Sequence, residues 1–118
     1  MRTLLTALAV VVALYVSAVP ARQPECQLAF IKYRDTPVCL DRGFEYQSTP
    51  KSSWIGGAWY DRKNQYMVIN LKGTLYHYCR MPPEIWAAFK VADSYGRFYE
   101  GNIKGRFDCR LGGVPAYD

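Results

Sequence analysis

Tyr76-His77-Tyr78-Cys79 is the stretch of the chain whose side chains are best suited to chemistry. His77 is the only histidine, and a Cys-His pair or half of a metal site would need it beside Cys79. Side chains two residues apart on a strand lie about 6–7 Å from each other, which is beyond hydrogen-bond reach. The sequence contains no H-x-x-x-H and no G-x-S-x-G motif. It therefore predicts no enzymatic activity, no catalytic residue, no metal site and no cofactor.

Tyr76 and Tyr78 alternate along the same predicted strand, so they share one face of a sheet. A two-residue turn at Lys72-Gly73 pairs Tyr76 with Ile69 and points both tyrosines at the core. A three-residue loop instead shifts the register by one. The tyrosines are then either half-buried against a helix or an exposed platform that stacks bases or sugars at about 1–3 kcal/mol per base. The sequence leaves both alternatives open.

Four cations follow the predicted helix, interleaved with aromatic residues and glycines: Arg97, Lys104, Arg106 and Arg110. Backbone N–H groups at Gly101 and Gly105 would form anion-binding concavities beside them. Such a surface suits phosphate, an anionic polysaccharide or a nucleic acid. Glu100 and Asp108 weaken its positive potential. In the alternative interpretation the glycines permit turns, the aromatic residues fill the core and the cations are solvated.

Four cysteines, an even number, are typical of disulfide bonds in a small exported protein: Cys26, Cys39, Cys79 and Cys109. Three connectivities are possible, and we favour Cys26–Cys39 with Cys79–Cys109. Zinc sites use close pairs such as C-x-x-C, and the sequence has none. The chain-entropy model gives these two bridges roughly 3 and 3.5 kcal/mol of stability.

Residues 1–21 have the pattern of a secretory signal peptide, with a basic start, an apolar run and small residues at the end. The run is shorter than the ~20 residues of a membrane span, so we expect no stable span after cleavage. The protein is predicted to be exported, to a bacterial periplasm or the medium, with an N-terminal membrane anchor as the alternative. The net charge of +5 is spread along the chain, as on a solubilising surface.

The pattern of elements predicts one small α+β domain at residues 52–110, preceded by an extension with short strands at residues 22–51. We expect an antiparallel sheet of about three to five strands, one short helix packed on it and an ordered tail rich in glycine and aromatic residues. Gly56-Gly57 predicts a bulge in the first main strand. Pro82-Pro83-Glu84 opens the helix, Trp86 lies at the edge of its apolar face, and Gly96 ends it.

Residues 52–107 resemble the KTSC domain, a family named after a domain at the C-terminus of some lysyl-tRNA synthetases. The resemblance rests on ordered features: an opening Ser52-Ser53 strand, the strand MVINL, Tyr-His-Tyr after a glycine, Pro82-Pro83, and the segment ADSYGRFYEGNIKGRF. It implies a small α+β fold, and the synthetase association suggests RNA binding.

Two functions follow in order of preference. The first is a small exported binding or structural module without enzymatic activity, whose partner is a protein or an envelope component. The alternative is a domain that binds RNA or another polyanion through the Arg97–Arg110 surface together with Tyr76 and Tyr78.

Overall fold

The computed structural model describes residues 9–11, 13 and 25–117. The predicted signal peptide, residues 1–21, lies outside the described residues except at those first four positions, and it stays a prediction. Within the described part, no helix has the length and apolar character that a membrane crossing requires.

Two antiparallel sheets and two α-helices make up the described part of the chain. The strands are β1 Leu28–Ala29, β2 Val38–Cys39, β3 Glu45–Gln47, β4 Ile55–Asp61, β5 Tyr66–Leu71 and β6 Thr74–Tyr78. The helices are α1 Pro83–Lys90 and α2 Tyr95–Asn102, followed by a 3₁₀ turn at Cys109–Leu111. β1 pairs with β2, and the main sheet has the order β3-β4-β5-β6. The predicted α+β class with a small antiparallel sheet is confirmed.

The bulge predicted at Gly56-Gly57 is present, because the β4–β5 register shifts between Ile55 and Ala58. Gly57 has φ +112°, a conformation that side chains with a Cβ rarely adopt. A Cβ at Gly57 would also lie 2.8 Å from the ring of Tyr46. The bulge therefore depends on glycine at this position.

The segment expected to be an ordered tail rich in glycine and aromatic residues begins with a second helix. Ser94 caps α2, since its Oγ accepts a hydrogen bond from the Arg97 N–H at 3.2 Å. Gly96 was expected to end the first helix, but it is the second residue of α2. A Cβ at Gly96 would lie 2.9 Å from the indole of Trp54, so glycine lets the helix approach the sheet. The expectation for Gly96 was wrong because close packing, not helix termination, requires the glycine.

The main sheet is buried on both faces. The helix-side core lies between the sheet and the two helices and contains Ile55, Ala58, Tyr60, Met67, Ile69, Met81, Trp86, Phe89, Tyr99 and Ile103. The extension-side core lies on the opposite face and contains Ile31, Val38, Leu40, Tyr66, Val68 and Cys79. Residues of β5 alternate between these two cores, as the period of a strand requires. The extension is thus a second layer of the fold.

Trp86 lies at the centre of the helix-side core, not at the edge of the helix face as expected. Its ring stacks on Tyr60 with centroids 5.2 Å apart. Its indole N–H donates to Glu45 Oε2 at 2.9 Å, and Lys90 Nζ donates to the other carboxylate oxygen at 2.7 Å. The hydrogen bonds from Lys90 and then Trp86 lower the pKa of Glu45. One carboxylate thereby joins β3 to α1.

Both favoured cysteine pairs are present in the structure. Cys26 pairs with Cys39 at a Cα–Cα distance of 5.8 Å, which ties the start of the extension to β2. Cys79 pairs with Cys109 at 4.9 Å, which ties the end of β6 to the 3₁₀ turn. The described residues contain no free cysteine.

We predict that Glu45→Ala lowers the free energy of unfolding by about 1–3 kcal/mol, because the buried Trp86 indole loses its acceptor. Glu45→Gln keeps an acceptor oxygen and should lose less. Urea unfolding of the two variants beside the unmodified protein measures the difference. Equal stability of all three would contradict a structural role for this hydrogen bond.

Replacing the Cys79–Cys109 pair by alanines should lower the free energy of unfolding by roughly 3–4 kcal/mol, since the bridge closes the longer loop. The matched change at Cys26 and Cys39 should cost roughly 3 kcal/mol. The two double variants should also differ locally. Hydrogen exchange of the backbone amide of residue 79, corrected for the intrinsic rates of cysteine and alanine, should accelerate much more in the first variant. The same acceleration in both variants would argue against separate local roles.

Candidate functional site: a groove along the edge of β6

The β5–β6 hairpin has the shorter of the two turns considered. Lys72 and Gly73 both have positive φ, 53° and 88°, as a two-residue type I′ turn requires. Ile69 pairs with Tyr76, so Tyr76 and Tyr78 lie on the helix-side face of the sheet. The register that the sequence left open is therefore the one that points both tyrosines at the core.

Both tyrosines are half-buried against the helix-side core. The hydroxyl of Tyr78 shares a hydrogen bond with that of Tyr99 at 2.5 Å, and the two rings meet edge to face. Burial raises the pKa of both phenols, so both stay protonated at neutral pH. The tyrosines form a fixed wall, in agreement with the packing alternative and not with an exposed platform.

A groove of about 580 Å³ runs along the outer edge of β6. Its lining includes Tyr33, Tyr76, His77, Tyr78, Arg106 and Arg110. Four of the predicted binding residues thus meet at one site. Arg97 and Lys104 do not line the groove: Arg97 is exposed on α2, and Lys104 is exposed just beyond the end of that helix. Gly101 lies inside α2, so the concavity expected around it is not a loop.

The positive charge of the groove comes mainly from Arg106. Arg110 forms an ion pair with Asp108, with Nη2 and Oδ2 2.7 Å apart, and this hydrogen bonding lowers the pKa of Asp108. Arg106 is exposed and has no ion-pair partner among residues 25–117. An anionic group in the groove would therefore find one uncompensated guanidinium.

The side chain of His77 forms a hydrogen bond with Tyr66 and lies near Arg34. The Nδ1 atom lies 2.7 Å from the Tyr66 hydroxyl, which also accepts from Arg34 Nη1 at 3.4 Å. Because a hydroxyl and an imidazole nitrogen can each donate or accept, this hydrogen bond forms with either tautomer of His77. Burial, assisted by the nearby Arg34, lowers the pKa of His77. His77 and Cys79 share a face as predicted, and Cys79 is oxidised.

Sequence reasoning missed the groove residues supplied by the extension and the C-terminal segment. At the start of the extension only Leu28–Ala29 forms a strand, and Tyr33 beyond it has a positive φ of 70°. Val114 also lines the groove, and apart from the two glycines before it nothing in the sequence around it indicates a binding site. The polar partner of His77, Tyr66, was hidden because its place opposite β6 depended on the unresolved hairpin register.

The lowered pKa of His77 makes stability depend on pH. Below the ordinary histidine pKa of 6.5 the unfolded chain binds a proton that the folded protein resists, so the free energy of unfolding should fall as the pH drops from 7.5 to 5.5. Glu45, Asp61 and Asp108 also have lowered pKa values, but the stability that these carboxylates provide is lost only below their ordinary pKa values of 4.5, 3.8 and 3.8. Urea unfolding at both pH values should show this loss, and His77→Gln should abolish it. An equal loss in the variant would exclude His77 as its source.

The comparisons with known proteins agree with the order of features seen in the sequence. The family model described as "KTSC domain" matches residues 51–107. A protein of Tsukamurella paurometabola is 38% identical over 58 residues, which cover 48% of this chain and 87% of that protein. The crystal structure of a KTSC domain protein from Yersinia pestis is similar with a TM-score of 0.51 and 33% identity, covering 55% of this chain and 92% of that chain.

The match includes β4, β5, β6 and both helices, together with Tyr76, Tyr78 and Arg106. Tyr33, Arg110 and Val114 lie outside it, so the groove forms where the matched domain meets the extension and the C-terminal segment. The resemblance stated for residues 52–107 is confirmed. The chain belongs to the KTSC domain family.

Proposed function

We propose that the protein is an exported, disulfide-stabilised binding module that holds its ligand in the β6 groove and catalyses no reaction. The observation that carries this proposal is the groove itself. Three separate parts of the chain build it, namely β6, the turn at Tyr33 and the segment from Gly105 to Val114. Aromatic walls with a few convergent polar groups are typical of binding sites.

The absence of catalysis is proposed from the state of the reactive groups. The imidazole of His77 is engaged by Tyr66, and the thiols of Cys79 and Cys109 are joined. A nucleophile with a positioned base, the usual arrangement for covalent catalysis, is not formed by the residues that line the groove.

Export is proposed from the disulfides and from the sequence of residues 1–21. Disulfides persist in oxidising compartments such as the periplasm and the extracellular space. We propose the periplasm or the medium as the location, and a protein or an envelope component as the partner. An N-terminal membrane anchor would present the same groove outside the cytosol.

A second candidate function is the binding of RNA or another polyanion. It is supported by Arg106 and Arg110, which line the groove beside Tyr76 and Tyr78. The ion pair between Arg110 and Asp108 weakens it, as does the position of Arg97 outside the groove. Binding of this kind would fall steeply with salt, because phosphate contacts release counterions.

The proposed function predicts that a plug in the groove abolishes ligand binding. Val114 lines the groove and is 46% exposed, so Val114→Trp should fill it without disturbing the core. Val91→Trp is the matched control, since Val91 is 81% exposed at the end of α1 and away from the groove. The probes are pooled random heptapeptides, a heparin hexasaccharide and a ten-nucleotide RNA, titrated into the ¹⁵N-labelled mature protein.

At least one probe should shift the amide signals of Tyr76, His77 and Arg106, and the shifts should vanish in Val114→Trp but persist in Val91→Trp. Shifts by RNA or heparin that disappear between about 50 and 200 mM salt would favour the second candidate. Shifts confined to the exposed face of α2, or an equal response of both tryptophan variants, would overturn the groove as the binding site.

A further inference from the structure

β6 is the outermost strand of the main sheet, and two contacts cover parts of its free edge. The Lys32 N–H donates to the Leu75 carbonyl at 2.8 Å, and the Cys79 N–H donates to the Phe107 carbonyl at 2.8 Å. The extension thus covers one end of the edge and the C-terminal segment covers the other. Between the two contacts lies His77.

The backbone N–H and C=O groups of His77 point away from β5, the strand that pairs with β6. In an antiparallel pair, successive residues turn their N–H and C=O alternately toward and away from the neighbouring strand. Leu75 and Cys79 both bond outward, so His77, halfway between them, also directs its N–H and C=O outward. Among residues 25–117, neither group has a hydrogen-bond partner in the loops beside the strand.

This gap in the covered edge coincides with the groove, which His77 lines. Tyr76 and Tyr78 flank the gap on one face of the strand. Tyr33, which is 78% exposed, stands at the extension side. A donor and an acceptor on one edge residue are what an added strand requires, and pockets beside them receive alternate side chains of that strand.

We propose that the groove binds an extended, acidic peptide segment of a partner protein, which pairs with the edge of β6 at His77. This inference rests on the proposed function and names the ligand class of the same groove. The adjacent donor and acceptor match a peptide unit, whereas a phosphodiester backbone has no N–H to offer the His77 carbonyl. The uncompensated Arg106 and the overall charge of +5 select acidic side chains.

The side chain of His77 supports this role from the other face. Its bond to Tyr66, a residue with no exposed surface, fixes the strand at the position where the main chain is open. The edge is therefore rigid before the peptide arrives, and little order must be gained on binding. Coverage on both sides also limits the added strand to a short pairing centred on one residue.

The probe for the test is a phage-displayed library of random heptapeptides, selected against the mature protein with both disulfides intact. Selected sequences should be enriched in aspartate and glutamate. Arg106→Ala should weaken the best synthetic peptide at least five-fold, and Arg97→Ala, the control outside the groove, should change its affinity less than two-fold.

Two substitutions at His77 isolate the main-chain hydrogen bond. His77→Thr keeps the backbone N–H, whereas His77→Pro removes it at an edge position where proline leaves the β5 ladder intact. Both lose the imidazole. The proline variant should bind at least ten-fold more weakly than the threonine variant. In the unmodified protein, the peptide should slow hydrogen exchange of the His77 amide at least ten-fold, while the Cys79 amide, already bonded to Phe107, should change little.

A third measurement applies whether or not His77→Pro folds. Replacing one amide of the peptide by an ester removes the N–H that faces the His77 carbonyl, and at one position of the scan binding should weaken at least five-fold. Uniform tolerance to esters, with unchanged exchange at His77, would overturn the proposal. If RNA or heparin binds in the groove and no peptide does, the peptide proposal is overturned but the proposed function as a binding module is not. If none of the probes binds in the groove, both proposals are overturned.

Discussion

The burial of β5 on both faces is the constraint on which the rest of the structure depends. Tyr66, Met67, Val68 and Ile69 have no exposed surface, although they lie on a strand whose side chains alternate between two faces. A strand of this kind needs a layer on each side. The two helices cover one face, and the extension with the C-terminal segment covers the other. Without that second layer, Tyr66 and Val68 would be exposed to water.

One disulfide lies within this second layer, and the other links it to the family domain. The layer is thin, because β1 and β2 have two residues each, and such short strands are not stable by themselves. Cys26–Cys39 closes the extension on itself, and Cys79–Cys109 holds the C-terminal segment at the end of β6. Since Cys26, Cys39 and Cys109 lie outside the KTSC match, the covalent links belong to what this chain adds to the family fold. The groove is a product of the same addition.

The parts of the fold that the sequence predicts are those governed by local chemistry. Gly56-Gly57 predicts the bulge and Pro83 starts a helix, as the structure shows. The sequence left the turn at Lys72-Gly73 open, and only the structure shows that it is the two-residue turn. The second helix was missed because Gly96 is also typical of a helix end. The burial of β5 on both faces is indicated by the sequence, since a continuous apolar run favours a strand covered on both faces. The groove could not be predicted, because Tyr33 and Arg106 are far apart in the sequence and only the packed extension brings them together.

The free edge of β6 at His77 also bears on how the protein avoids pairing with other chains. An uncovered strand edge invites pairing with other chains, and proteins usually cover, bend or charge such edges. Here Lys32 and Phe107 cover the edge on either side, so uncontrolled pairing along the whole strand is prevented. The single open residue, His77, lies in a groove lined by Tyr33, Tyr76 and Tyr78. The two contacts that protect the edge also bound the opening that we propose as the peptide site, because each contact that shortens the opening forms one of its ends.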